Sequence, residues 1–196
     1  MSFELITDPI SKATEWICDA ELHGEIYPDA ACLSTLRPDG YPDGRMVLVR
    51  RINESGFAFF TNSNSTKGQS LAQCPKASLT FHWKGLGRQL RVLGDVVLAT
   101  EAEADDYFSG RFLISQIGAW ASDQSRPIAS REALMDLVSE VTQRYEGQPV
   151  PRPPHWIGYR IVPIQIEFWI DGEFRLHDRH HYSRADSGWV YSRLNP

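Results

Sequence analysis

The stretch RMVLVRRINESGFAFFTNSNSTK, residues 45–67, decides how this chain folds. Residues 45–51 read as a strand, Asn53-Glu54-Ser55-Gly56 makes a turn, and residues 57–61 return as a second strand. So short a connection joins antiparallel neighbours. After Thr61 a run of small polar residues leads into a helix start at Ser65.

Outward from this hairpin the same grammar repeats. Residues 30–36 read as a strand that reaches the hairpin through the Pro38-Asp39-Gly40 turn. Further strands are expected at 77–83, 88–100 (with Gly94 as a bulge), 159–170, 173–182 and 188–194. Asp8 followed by Pro9 caps a helix whose apolar residues Ile10, Ala13, Ile17 and Ala20 recur at helical spacing up to Gly24. Helices are also expected at 65–73, 101–108 and 130–145, the last with Leu134, Leu137, Val138 and Val141 on one face. Gln116-Ile117-Gly118-Ala119-Trp120 and Glu167-Phe168-Trp169 read as core aromatics, the first with a tight glycine contact. About eight antiparallel strands without βαβ alternation predict a mainly β fold with helices, a small barrel that closes its own edges.

Composition bounds the function. The 196 residues carry 20 basic and 25 acidic side chains, a net charge of −5, so there is no basic field for nucleic acid or an anionic membrane. The length suits a single domain over 1–196, with 1–7 expected to be flexible. No signal-peptide pattern and no apolar run long enough to span a membrane is present, and three unpatterned cysteines (Cys18, Cys32, Cys74) suit reduced thiols, so a cytoplasmic protein is expected. Dinucleotide, Walker A, G-x-S-x-G and H-E-x-x-H patterns are absent. His177 and His181 on one strand face would lie about 13 Å apart, too far for one ion, and no metal site is expected.

Three segments concentrate anion-holding groups. In Arg45-Met46-Val47-Leu48-Val49-Arg50, alternation puts Arg45, Val47 and Val49 on one face and Met46, Leu48 and Arg50 on the other. Phe60 to Lys67 runs from a strand end into a helix start, where free N–H groups, Ser65, Thr66 and Lys67 could hold a phosphate. Arg175, His177 and Arg179 would share one strand face. Taken singly, each pattern is more often that of a solvated strand end or a plain helix cap, since charged groups default to the surface.

Together and in this order, RMVLVR (45–50), FFTNSNSTKG (59–68), RQLRVLG (88–94), YFSGR (107–111), SQIGAWASDQS (115–125), QIEFW (165–169) and GEFRLHDR (172–179) resemble the FMN-dependent pyridoxine/pyridoxamine 5′-phosphate oxidases over nearly the whole chain. The resemblance implies a split β-barrel homodimer with FMN in clefts between subunits. It implies hydride transfer from the C4′ carbon of pyridoxamine or pyridoxine 5′-phosphate to flavin N5, giving pyridoxal 5′-phosphate, with dioxygen reduced to hydrogen peroxide. Carried over, the FMN contacts are Arg45, Met46, Val47, Leu48, Val49, Arg50, Phe60, Thr61, Ser65, Thr66, Lys67 and Gln89, with Gln124, Ser125, Trp169 and Arg179 from the partner subunit or the later strands. The substrate phosphate falls to Arg50, Tyr107, Arg111 and Ser115, and the reacting ring to Arg175 and His177. The chain departs from the family's usual Lys at Arg50, Arg or Lys at Thr66, and Tyr at Phe60. Two other readings are a related flavoenzyme that oxidises a phenazine-type aromatic and a non-catalytic flavin- or pyridoxal-phosphate-binding protein.

Overall fold

Alternating side chains become eight antiparallel strands in the computed structural model, which describes residue 3 and residues 6–196. They are β1 (Ala30–Leu36), β2 (Pro42–Asn53), β3 (Gly56–Asn62), β4 (Lys76–Trp83), β5 (Arg88–Leu98), β6 (Trp156–Ile170), β7 (Asp178–Ala185) and β8 (Gly188–Leu194). The sheet runs β3-β2-β1-β4-β5-β6-β7-β8, and β3 pairs again with β6, so six strands close a barrel from which β7 and β8 extend. Closure covers the β3 edge that an open sheet would present, and β8 remains the free edge of the extension among the described residues. The expected bulge lies at Leu93/Gly94, where the β5–β6 register shifts.

The barrel interior is filled by fully buried Leu33, Phe57, Phe59, Phe81, Leu90 and Phe168. Helix α1 (Pro9–Leu22), capped by the Asp8 carboxylate on the N–H groups of Ile10 and Ser11, lays Ile10, Ala13, Trp16 and Ala20 onto that interior. Of the segment expected to be flexible, Phe3 stacks on His180 (3.9 Å between centroids) and the Ile6 N–H donates to the Tyr182 hydroxyl (3.4 Å). Residues 1, 2, 4 and 5 lie outside the described residues.

Helices α2 (Thr66–Gln73), α3 (Glu101–Ser109), α4 (Leu113–Ala121) and α5 (Arg131–Arg144) complete the fold. A second apolar cluster of Phe108, Ile117, Ala121, Val141, Val150 and Trp156 forms where α3, α4 and α5 meet the start of β6. Ion pairs fix α3 to the barrel: Glu103 with buried Arg160 of β6, Asp106 with Arg51 of β2, and Asp105 and Glu101 with Arg152. On α5, Val141 is buried and Val138 packs beside it, while Leu137 faces outward.

Three expectations are corrected. Residues 116–120, read as core aromatics without an element, lie on helix α4, whose start at Phe112 has no side-chain cap; the core reading itself holds, with Ile117 buried and Trp120 packed against the second cluster. Its Gly118 makes no tight contact, since a Cβ there would meet nothing within 4 Å. The strand expected at 173–182 begins only at Asp178, after a 3₁₀ turn at Glu173–Arg175 in which Phe174 (φ 57°) and Arg175 (φ 65°) are left-handed. Arg175 and Arg179 therefore do not share a strand face.

These packing differences predict opposite outcomes for two alanines. At Gly94 a Cβ would sit 2.1 Å from the Val162 carbonyl oxygen, so Gly94→Ala should destabilise by about 1–3 kcal/mol. Gly118→Ala should stabilise by about 0.5–1 kcal/mol, because it removes a helix-interior glycine in open space. Urea unfolding of both variants checks the pair.

Candidate active site

The face of β2 that carries Met46, Leu48 and Arg50 opens on a cavity of about 480 Å³ bounded by β3, α2, α3 and α4. Its lining includes Met46, Val47, Leu48, Arg50, Phe60, Thr61, Lys67, Tyr107, Arg111, Ser115 and Gln124, so eleven of the residues expected at the site meet in one place. Gly110, Phe112 and Trp156 also line it and were not anticipated. Trp156 escaped because the expected strand started three residues later; a tryptophan just after the proline-rich stretch 149–154 was the available signal.

One end of the cavity is a polar knot. The Lys67 ammonium donates to Gln124 Oε1 (2.9 Å), Thr61 Oγ1 (3.2 Å) and Ser65 Oγ (3.3 Å), and the Thr61 hydroxyl donates to the same Gln124 oxygen (3.2 Å). Ser65 caps α2 by accepting from the Gly68 N–H. Burial first, then the nearby Arg45 charge, pushes the Lys67 pKa down from the ordinary lysine value. An anion placed here would supply the counter-charge that Lys67 lacks. Gln124 thus reaches this cavity from its own chain, which removes it as a reason to invoke a partner subunit.

The other end is aromatic and cationic. Phe60 stacks on Tyr107 (4.6 Å) and lies nearly parallel to Trp156 (5.5 Å, 7°). The Arg111 guanidinium covers the Trp156 face at 5.0 Å, and its Nη1 is buried with no hydrogen-bond partner. Burial lowers the Arg111 pKa from the ordinary arginine value, and the like charge of Arg50 adds to this. A buried donor without a partner costs about 1–3 kcal/mol, which an acceptor-rich ligand would recover. Arg50 is held by Asp29, Nη1 to Oδ2 2.7 Å.

Behind Arg111 stands Gln116, a residue of the SQIGAW run whose role sequence reading missed. Its buried amide donates to the carbonyls of Phe108 (3.1 Å), Ser109 (3.2 Å) and Arg111 (3.1 Å), tying the α3–α4 corner together.

The remaining expected residues lie outside this lining. Val49 is buried in the barrel, Thr66 is exposed on the first turn of α2, and Arg45 is tied to Asp43 (2.5 Å) and Thr35 (2.8 Å). Ser125 is left-handed (φ 73°) just beyond Gln124. Gln89, Trp169 and Arg179 form one row across β5, β6 and β7, paired Gln89↔Trp169 and Trp169↔Arg179. Beneath that row, buried Glu167 accepts from both Arg179 Nε (2.7 Å) and Arg91 Nη1 (3.1 Å). His177 packs on Trp169 (4.5 Å), and its Nδ1 lies 3.2 Å from the Gly172 N–H and 3.1 Å from the Asp171 carboxylate. Arg175 is exposed. The structure therefore divides the expected site into a cavity at β2, β3, α3 and α4 and a separate cluster at β5, β6, β7 and the 173–177 turn.

Comparison with known proteins bears on both parts. Residues 19–145 match the family model described as pyridoxamine 5′-phosphate oxidase, and residues 156–196 match the model for the pyridoxine 5′-phosphate oxidase C-terminal dimerisation region. A pyridoxine/pyridoxamine 5′-phosphate oxidase of Azorhizobium caulinodans is 51% identical over 196 residues, covering 99% of this chain and 92% of that protein. One of Caulobacter vibrioides is 51% identical over 189 residues, covering 96% and 85%. Among solved structures, PhzG from Burkholderia lata 383 in complex with tetrahydrophenazine-1-carboxylic acid is similar with a TM-score of 0.93 at 32% identity, covering 100% of this chain and 98% of that one. A pyridoxamine 5′-phosphate oxidase-related, FMN-binding protein of Nostoc punctiforme shares the fold with a TM-score of 0.74 at 20% identity, covering both chains fully.

The tie at Gln116 yields a prediction. Gln116→Leu keeps the volume but takes the side-chain donor from the carbonyls of Ser109 and Arg111, while that of Phe108 keeps the Arg111 N–H, so it should destabilise by about 1–3 kcal/mol in urea unfolding.

Proposed function

The chain belongs to the pyridoxamine 5′-phosphate oxidase family, and from that premise we propose that it oxidises pyridoxamine or pyridoxine 5′-phosphate to pyridoxal 5′-phosphate, with FMN as cofactor and dioxygen as the electron acceptor. The observation that carries this reading is the unpartnered, buried Arg111 Nη1 beside Arg50 in an aromatic-walled cavity. A phosphorylated aromatic ring supplies what that cavity lacks: anionic acceptors for two guanidinium groups, and a flat apolar body for Phe60, Tyr107 and Trp156.

The residues suit FMN at the opposite end. Lys67, Thr61 and Ser65 at the start of α2 are a donor set for a terminal phosphate. When bound, FMN supplies the acceptor for the hydride from the substrate's C4′ carbon and the route of the two electrons to dioxygen, giving hydrogen peroxide. The chain's own task is to hold the substrate phosphate with Arg50, Tyr107, Arg111 and Ser115, and to hold the ring with Arg175 and His177. A fixed cation, Arg179, would favour negative charge developing on the flavin.

Trp169, Arg175, His177 and Arg179 belong to the stretch that matches a dimerisation region, and none of them lines the cavity of its own chain among the described residues. This supports a homodimer in which each chain's β6–β7 cluster completes the other's cavity. The three cysteines are free thiols, which suits the cytoplasm, and no helix among the described residues is long and apolar enough to cross a membrane. The PhzG likeness keeps a phenazine-type substrate as a second reading; the paired Arg50 and Arg111 and the 51% relatives favour the phosphorylated one.

Oxygen consumption tests this. Pyridoxamine 5′-phosphate should be turned over, whereas unphosphorylated pyridoxamine and a tetrahydrophenazine carboxylate should be poor substrates; turnover of the phenazine alone would sink the reading. Charged hydrogen bonds contribute about 1.5–3 kcal/mol, so Arg111→Ala should raise KM for the phosphorylated substrate by about 10- to 150-fold with little change in kcat. Arg175→Ala should lower kcat as well, because a group on the reacting ring acts in the transition state.

A further inference from the structure

Arg50 stands where the resembled family usually has Lys, and the structure shows a partner for it that sequence reading did not find. Asp29 lies one residue before β1, its carbonyl accepting the Val49 N–H of β2 (2.9 Å). The preceding Pro28 carbonyl accepts the indole N–H of Trp83 (2.9 Å), so the backbone is pinned on both sides. From this fixed position the Asp29 carboxylate holds Arg50 Nη1 at 2.7 Å. Asp29 does not itself line the cavity; Arg50 does.

We propose that Asp29 is a positioning residue: it holds the Arg50 guanidinium toward the cavity in the orientation that receives the substrate's phosphate. The proposal rests on the reading of Arg50 and Arg111 as the phosphate-binding pair. Arginine makes the arrangement workable. Its planar fork can give Nη1 to Asp29 while Nε and Nη2, which make no hydrogen bond among the described residues, stay available to a second anion. A lysine ammonium is a point charge, which the same carboxylate would largely neutralise.

There is also an electrostatic reason for a carboxylate here. Arg50 and Arg111 face one cavity, and the charge of Arg50 disfavours that of Arg111. Without Asp29, a long, half-exposed arginine beside another cation would swing outward into solvent. Ordering it again on binding would weaken the affinity. An immobilised long side chain accounts for about a two- to tenfold factor, and that is the effect expected on KM.

Steady-state kinetics of the FMN-loaded enzyme with pyridoxamine 5′-phosphate and with unphosphorylated pyridoxamine test the proposal. Asp29→Ala should raise KM for the phosphorylated substrate by about two- to tenfold, leave kcat within twofold, and leave the unphosphorylated substrate unchanged. Asp29→Asn, which keeps an acceptor in place, should bring KM back to the wild-type value or below it. In an Arg50→Ala background, Asp29→Ala should add nothing. Should Asp29→Ala fail to fold, Asp29→Ser carries the same expectations. An unchanged or lowered KM for Asp29→Ala, or an equal effect with Arg50 already removed, overturns the proposal. A wild type that turns over no phosphorylated substrate, or an Arg50→Ala variant with normal KM, overturns the underlying reading of the site instead.

Discussion

The pairing of β3 with β6 is the constraint on which the rest depends. Six consecutive residues, Phe57 to Asn62, lie against Ile161 to Trp156 and turn an open sheet into a closed barrel. The same ladder sets Phe60 beside Trp156 and aims Thr61 at the start of α2, so the closure that buries the core also builds the cavity's back wall. Arg160, on the closing strand, reaches Glu103 and fixes α3, which brings Tyr107 and the Arg111 corner over that wall. Fold and site share one set of contacts.

Within the cavity the dominant physical fact is uncompensated positive charge. Lys67 sits among neutral acceptors, Arg111 has a buried donor without a partner, and Arg50 has one carboxylate partner at the rim. Buried Lys67 and the buried Nη1 of Arg111 are a cost to the free protein that anionic ligands remove. Two cationic positions in one aromatic-lined cavity, Lys67 and the Arg50–Arg111 pair, suit a flavin phosphate and a phosphorylated pyridine.

Much of this was legible in the sequence. Turn residues and alternation placed the strands, the Asp8-Pro9 cap placed α1, and the carried-over motifs named eleven side chains that converge on one cavity. What escaped depends on long-range packing. Helix α4 has no capping side chain, so its start was silent; the 173–177 turn places two non-glycine residues at positive φ, which no local propensity predicts. Asp29 and Gln116 act on Arg50 and on the α3–α4 corner, and their roles appear only once the strands are paired and the corner is folded. The resemblance leaves open whether Gln124 comes from the partner subunit, and its knot with Lys67 puts it at the cavity of its own chain.

The central claim is that each site is made from two chains: the phosphate-holding cavity of one and the β6–β7 cluster of the other. Mixing the Arg111→Ala and Arg175→Ala variants after dissociation and reassociation, and assaying at low pyridoxamine 5′-phosphate, tests it most directly. If the two groups come from different chains, half of the sites in a mixed dimer are intact, and random mixing should restore about a quarter of the wild-type rate. If the mixture shows only the average of the two variants' own rates, both groups act within one chain and the account is contradicted.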